Sequence, residues 1–384
     1  MFKSYKYRLY PSDKQKELIA KHIGCCRFIY NLALETKQLA YNGNKINLSR
    51  YDLQKQLPDL KNEYKWLKEI NAQSLQVSLM NLEFAYLGFF RGRAKFPSFK
   101  KKQNGGSFGV PQSFRIENNK LIIPKFKEGI GIVLHHSMIG TMKQCTISKT
   151  PTGKYFASIL CDTKESITPK SKIKNKTTIG VDLGIKSFLV TSDGEVVDNP
   201  KYLHKAQNKL KYLQRKYSKH KGKRTKQRLA LAHERVVNQR KDFLQKTSTK
   251  LIRENQTICL EDLNIKGMMK NHHLAGSISD VGWGTFVDML EYKAEWYGKN
   301  ILKIGSFDPS SKTCSHCGNI NQELTLKDRS WTCDSCGTVH DRDENAAINI
   351  KKFALKNLSV ERRLKNQKEL PTLVGAMISE THLE

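Results

Sequence analysis

The sequence predicts a multidomain α+β chain, and three observations carry that prediction. Apolar and polar residues alternate in period two over residues 2–10 and again in short runs over 103–162, the pattern of half-buried strands. Between these runs, residues 11 to about 90 carry apolar side chains at spacings of three and four, the pattern of helices. From residue 177 onward, strand text and helix text take turns, as in an α/β unit. A chain of 384 residues has room for two or more domains and a sizeable core.

The elements follow in order. In "FKSYKYRLY", Tyr5, Tyr7 and Leu9 share one face and Lys6 and Arg8 the other, and Pro11 ends the strand. Ser12 opens an S-x-x-Q capping box with Gln15. Leu18, Ile19, Ile23, Cys26, Ile29, Leu32 and Ala33 then recur at helical spacing, and helical text continues to about Phe90 with interruptions at "NGNK" and near Pro58. Residues 89–102, "FFRGRAKFPSFKKK", interleave six basic residues (Arg91, Arg93, Lys95, Lys100, Lys101, Lys102) with Phe90, Phe96 and Phe99. The basic residues suit phosphate contact; the aromatics are expected in the core in preference to stacking on bases. "KLIIPKF" and "CTISKTPTGKYFASILCD" read as strands, with a turn at Thr152-Gly153. Residues 163–176 form a polar, lysine-rich linker.

"TTIGVDLG" is an apolar strand that ends at Asp182, and "SFLVTSDGEVV" is a hairpin around Asp193-Gly194. Two helices flank Gly222; residues 201–250 hold 17 Lys or Arg and only two acids. "TICLEDLN" is a strand ending at Glu261, "KNHHLAG" with His272 and His273 a polar loop, "TFVDMLEYKAEWYG" a helix, "NILKIG" a strand and "NAAINIKKFAL" an amphipathic helix. The residues after about 358 read as a flexible tail.

Composition narrows the function. Lys plus Arg number 67 against 36 Asp plus Glu, a net +31. Such a charge lies far beyond what solubility requires. It favours polyanions, nucleic acid first, through release of their counterions. No stretch approaches the roughly 20 apolar residues of a membrane span, and the N-terminus lacks the apolar core of a secretory signal, so a cytoplasmic, nucleoid-associated protein is expected. Of nine cysteines, Cys25, Cys26, Cys145, Cys161 and Cys259 sit in apolar or strand-like text and read as core residues.

The other four form the pattern CxxC-x15-CxxC at Cys314, Cys317, Cys333 and Cys336. Each pair makes a knuckle that aims two thiolates at one ion, and four thiolates complete a closed tetrahedral Zn²⁺ site of structural type. The competing readings are two disulfides or free thiols.

Single acids carry little weight: Asp182 suits a turn, Glu261 or Asp262 a cap, and Asp341 or Asp343 the start of a helix. Their order says more. Strand with acid, hairpin, helices, strand ending in Glu, helix, strand and acid at a helix start is the order of an RNase H-like sheet, in which the first and fourth strands are neighbours. That arrangement brings Asp182, Glu261 and Asp343 to one place. Three such acids repel unless cations neutralise them. Two Mg²⁺ ions, with Mn²⁺ as a substitute, fit this need and the hydrolysis of a phosphodiester. The cysteine segment is then an insertion ahead of the last helix.

"IGVDLGIKSFLVTSDG", "ICLEDLNIKGM", "LEYKAEWYG", "SSKTCSHCG" and "CDSCGTVHDRDENAAINI", with "GCCRFIYN" and "AKFPSFKKK", resemble the TnpB proteins of bacterial insertion sequences over about residues 2–355. The resemblance implies an RNA-guided DNA endonuclease with one RuvC-like site, related to type V CRISPR effectors. Its implied partners are a noncoding guide RNA derived from the element's end and a double-stranded DNA target beside a short motif. The chain would act as a monomer with its RNA, a dimer being the alternative. The matching acids are Asp182 in "VDLG", Glu261 in "LEDLN" and Asp343 in "DRDEN", which leaves Asp341 as a helix cap. The implied layout is a wedge-like β domain over 1–10 and 96–170, split by a helical recognition domain over 11–95. A RuvC-like nuclease domain follows over 177–308 and 341–357, with a zinc ribbon at 309–340 and a flexible tail at 358–384. The competing functions are a DDE-type transposase or accessory transposition protein, a non-cleaving RNA-guided regulator, and a plain DNA-binding zinc protein.

Overall fold

The computed structural model describes residues 1–102, 105–166, 168–325 and 327–368. The chain forms two compact units, Met1–Ser166 and Ile167–Glu384.

In the first unit, strand β1 (Phe2–Tyr10) leads into helix α1 (Asp13–Asn44). The Ser12–Gln15 capping box forms in both directions, satisfying donors that the helix itself leaves open. Helices α2 (Arg50–Lys55), α3 (Leu57–Glu63) and α4 (Ala72–Phe90) follow. Six strands complete the unit: β2 (Gly106–Val110), β3 (Arg115–Glu117), β4 (Lys120–Ile123), β5 (Phe126–Val133), β6 (Thr141–Lys149) and β7 (Tyr155–Asp162). Together with β1 they make one antiparallel sheet in the order β2-β6-β7-β1-β5-β4-β3. Tyr7 and Leu9 of β1 and Ile130 of β5 share one hydrophobic core with Ile19 of α1 and Leu75 of α4. The helices and the sheet are therefore stabilised together. Gly106 permits the closest approach: a Cβ there would lie 2.2 Å from Cγ2 of Ile23. Cys25, Cys26, Cys145 and Cys161 are buried in this unit and Cys259 in the second, as expected of core residues.

The second unit centres on a five-stranded sheet of β8 (Thr178–Leu183), β9 (Ser187–Thr191), β10 (Val196–Asp198), β11 (Thr257–Glu261) and β12 (Asn300–Ile304), in the order β10-β9-β8-β11-β12. β8 and β11 run parallel, as do β11 and β12; β9 and β10 are antiparallel additions. Between β10 and β11 lie α5 (Tyr202–His220) and α6 (Lys223–Glu254), with Gly222 as the N-cap of α6. α7 (Ile265–Met268), α8 (His272–Val281) and α9 (Trp283–Trp296) precede β12. A short hairpin, β13 (Ser330–Thr332) and β14 (Val339–Asp341), ends at α10 (Arg342–Lys368).

Strand parity sorts the sheet into two faces. Ile179 and Val181 of β8 and Ile258 and Leu260 of β11 pack with Leu244, Phe286 and Leu290 of α6 and α9. On the other face Cys259 and Ile304 pack with Ile350 and Ala354 of α10. Gly180 lets α10 lie on β8: a Cβ there would stand 2.0 Å from the Ala347 carbonyl oxygen.

"KNHHLAG" is not a loop: Asn271 caps α8 by accepting from the His273 amide at 3.1 Å, and His272 and His273 are exposed in its first turn. The last helix does not stop near 358 but continues to Lys368, so residues 358–368 of the expected tail are helical; residues 369–384 lie outside the described residues. Among the described residues no helix is long and apolar enough to cross a membrane.

Candidate metal centres

The same parity that sends Val181 and Leu260 into the α6/α9 core sends Asp182 and Glu261 to the face covered by α10. Cys259 pairs with Gly180 in the parallel register of β11 on β8; two residues further along each strand come Glu261 and Asp182. The start of α10 supplies Asp343. Asp182 keeps some exposed surface, yet protein encloses most of its carboxyl. That desolvation, then the charges of Glu261 and Asp343, push its pKa from 3.8 up to about 8. The Arg342 charge and a backbone hydrogen bond at Leu183 offset only part of this.

The local structure decides which of the two candidate acids at the helix start faces the other carboxylates. Asp341 Oδ1 accepts from the backbone amides of Asp343 and Glu344, both at 3.0 Å. Asp341 is thus the cap of α10, spent on the open donors of the first turn, and Asp343 acts on Asp182. Asp343 also meets Arg329, Nη1 to Oδ1 3.4 Å, and Glu261 accepts a hydrogen bond from the Ser310 hydroxyl.

The four cysteines are gathered more tightly. Their sulfurs all lie within 4.8 Å of one another, the only such group of three or more Cys, His, Asp or Glu side chains among the described residues that could hold an ion as it stands. Cys314 and Cys336 are 3.6 Å apart, as are Cys317 and Cys333. That is far beyond a disulfide of about 2.05 Å, so the disulfide reading fails. It is close to the ~3.8 Å between sulfurs in a tetrahedral site with bonds of about 2.3 Å. The knuckles are built by backbone bonds from Gly318 to Cys314 and from Gly337 to Cys333, at 2.9 and 2.8 Å; both glycines have positive φ, which a β-carbon disfavours. Buried Leu324 and Trp331 form a small core with Cys314 and Cys333. The donor set fits one structural Zn²⁺. His340, not singled out in the sequence, is buried against Trp331, with Nε2 3.1 Å from the Cys314 sulfur.

Arg91, Arg93, Lys95, Lys100, Lys101 and Lys102 are all exposed. The Lys100 ammonium lies 3.7 Å from the centre of the Tyr30 ring, and desolvation lowers its pKa. The expected core role of Phe90, Phe96 and Phe99 does not hold: they are 75%, 46% and 48% exposed. Phe90 and Phe96 pack on Tyr86 and Phe89 at the end of α4, forming a surface cluster with little above it. Apolar character alone misplaced them: Phe90 is the last residue of α4, whose buried residues stop at Leu82, and Phe96 and Phe99 lie beyond the helix.

Three family models match the chain. The "Cas12f1-like, TNB domain" covers residues 283–350 and so spans all four cysteines. A model described as "Probable transposase" covers 158–272. A "Helix-turn-helix domain" covers 1–45, residues that here form one strand and one long helix. A "Putative RNA-guided DNA endonuclease" of Streptomyces pristinaespiralis is 37% identical over 91% of this chain and 88% of that protein. The "Putative RNA-guided DNA endonuclease InsQ" of Escherichia coli is 30% identical over 90% and 91%. A TnpB-like protein of Acanthamoeba polyphaga mimivirus is 26% identical over 92% and 73%. With identity at this level running through nearly the whole of both sequences, the chain belongs to the TnpB family.

Proposed function

We propose that this chain is an RNA-guided DNA endonuclease of an insertion sequence, with Asp182, Glu261 and Asp343 as its catalytic carboxylates. One observation carries the reading: Asp182 is largely enclosed by protein beside Glu261 and Asp343, and that desolvation first, then the two neighbouring charges, raises its pKa to about 8. A fold gains nothing from such a cluster unless a cation completes it. The strand order β10-β9-β8-β11-β12, with parallel β8, β11 and β12, supports an RNase H-like, RuvC-type unit. The relatives named as RNA-guided DNA endonucleases support the substrate class.

Divalent ions held by the three carboxylates, Mg²⁺ or Mn²⁺, would neutralise them and supply an activated water and a stabilised leaving oxygen. The chain's own part is positioning. β8 and β11 fix two carboxylates from neighbouring backbones, the capped start of α10 fixes the third, and Arg329 meets one oxygen of Asp343. Sequence is read by guide pairing, so the protein needs only to grip nucleic-acid backbones and a short adjacent motif. The basic helices α5 and α6 and the segment 91–102 suit that grip. Zn²⁺ at the four cysteines has a structural part only, because four sulfurs leave no open position.

The test is a plasmid-cleavage assay with Mg²⁺ and the RNA that copurifies with the tagged chain. Guide-dependent cutting, and an element-end transcript among the sequenced RNA, are expected. Absence of cutting with that RNA bound would favour a non-cleaving regulator. The "Probable transposase" description favours a second reading, which joined transposon ends made by the purified protein would support.

A further inference from the structure

The loop from Gly305 to Thr313, between β12 and the first cysteine pair, is bonded to itself. Gly305 N donates to Asp308 Oδ2 at 2.9 Å, and Ser310 N to Asp308 O at 2.7 Å. Thr313 donates to Pro309 O from its amide at 3.0 Å and its hydroxyl at 2.7 Å. Two side-chain amides on α10 then fasten this loop. Asn345 and Asn349 stand four residues apart, hence on one face of the helix, and each is 1% exposed. Asn349 Nδ2 donates to the carbonyls of Ser310 and Thr313 at 2.8 and 2.6 Å. Asn345 Nδ2 donates to Thr313 O at 2.8 Å, and its Oδ1 accepts from the Ser315 amide at 2.9 Å. Ser310 is buried, and its hydroxyl donates to Oε1 of Glu261.

We infer that Ser310 is a positioning residue, in a loop pinned by Asn345 and Asn349, whose hydroxyl holds one oxygen of Glu261 and so orients the carboxylate that would hold a divalent ion together with Asp182 and Asp343. The inference rests on the proposed metal-binding role of Glu261. Its physical basis is repulsion. A glutamate at the end of a strand has rotatable bonds to spare, and like charges nearby drive it to swing away. A buried donor whose own backbone is clamped opposes that swing before any ion arrives. Outer partners of this kind typically change metal affinity by about 10–100-fold. The segment from Ser310 to Ser315 thereby serves both metal centres, because it carries Cys314 at one end and orients Glu261 from the other.

The test compares Ser310→Thr with Ser310→Val in the full-length chain, using Mn²⁺ titrated by calorimetry as the probe. The two side chains have the same shape, so any packing disturbance is common to both, and only threonine keeps the hydroxyl. Ser310→Val should bind Mn²⁺ about tenfold more weakly than Ser310→Thr, with Ser310→Ala, which adds no bulk, falling beside Ser310→Val. Zinc content by mass spectrometry should match the wild type in all three. Equal Mn²⁺ affinity in the threonine and valine variants overturns the role of Ser310. Glu261→Ala in the same titration separates the two levels. Wild-type affinity in that variant removes the parent reading, whereas weakened binding there, beside equal threonine and valine variants, removes only the inference about Ser310.

Discussion

His22 in the first unit and Asp182 in the second are both packed under protein, and their surroundings are opposite. His22 is 0% exposed with both ring nitrogens engaged: Nδ1 faces the Leu18 carbonyl at 2.8 Å, and Nε2 accepts from the Asn71 amide at 3.1 Å. The ring is therefore neutral with its proton on Nδ1, and burial lowers its pKa to about 4. Asp182 sits among like charges that its neighbours only partly offset. A buried polar group with complete partners stabilises a fold. One with incomplete partners is held at a cost, and such groups gather where a ligand completes them. That contrast separates a structural histidine from a candidate catalytic acid without reference to any relative.

Asp182→Ala, Glu261→Ala and Asp343→Ala should each lower cleavage by about a thousandfold or more, with guide RNA still bound. Asp341→Ala should lose only a helix cap, about 1 kcal/mol of stability. A fully active Asp343→Ala beside a dead Asp341→Ala would move the site to Asp341 and overturn the assignment. Next, Cys314→Ser should leave a three-sulfur site, lower zinc content by mass spectrometry, and destabilise the ribbon. Retention of one zinc per chain with an unchanged melting curve would contradict the structural-metal assignment.

Gly180→Ala probes the seat of α10 on β8. The added Cβ has backbone oxygen 2.0 Å away, which no rotamer can relieve, so a loss of about 3 kcal/mol or more is expected in thermal unfolding. Cleavage should fall with it, because the same helix carries Asp343.

The two groups should also answer pH in opposite senses. The folded-state pKa of Asp182 is raised, from 3.8 to about 8, so between these values the folded chain holds more protons than the unfolded one. Stability of the metal-free protein should fall as pH rises through that window. Asp182→Asn should abolish this slope and raise the melting temperature at pH 8 by about 5 °C or more, while cleavage is lost. For His22 the folded pKa is lowered, from 6.5 to about 4, so the unfolded chain binds the extra proton. Stability should be lost as pH falls from about 6.5 toward 4, on the order of 3 kcal/mol. Identical slopes in the wild type and Asp182→Asn would remove the contrast.

Much of the local structure could be read directly. The Ser12–Gln15 capping box, the Asp193-Gly194 turn and the burial of Tyr7 and Leu9 follow from neighbours in the chain, so short patterns suffice. The Asn271 cap of α8 is equally local, an asparagine accepting from the amide two residues on. Phe90, Phe96 and Phe99 failed for another reason: whether an aromatic is buried depends on what arrives to cover it, and nothing local encodes that. Ser310 carried no signal at all, since a serine before a cysteine knuckle looks like any loop serine. Its partners are a glutamate at the end of β11 and the Asn349 amide on the last helix.

The chain by itself determined the chemistry on offer: a strong positive charge, four thiols at metal-ligand spacing, and acids at the ends of apolar strands. Those properties depend on residue type and short-range periodicity. Element order and resemblance already pointed to Asp182, Glu261 and Asp343 as one group; tertiary structure alone decided that α10 lies over their face of the sheet, that the Asp341 carboxylate takes the amides of Asp343 and Glu344, and that Ser310 reaches Glu261. The first and the last of these require segments distant in sequence to meet in a particular strand register and helix seat, and that meeting is settled by packing of the whole unit.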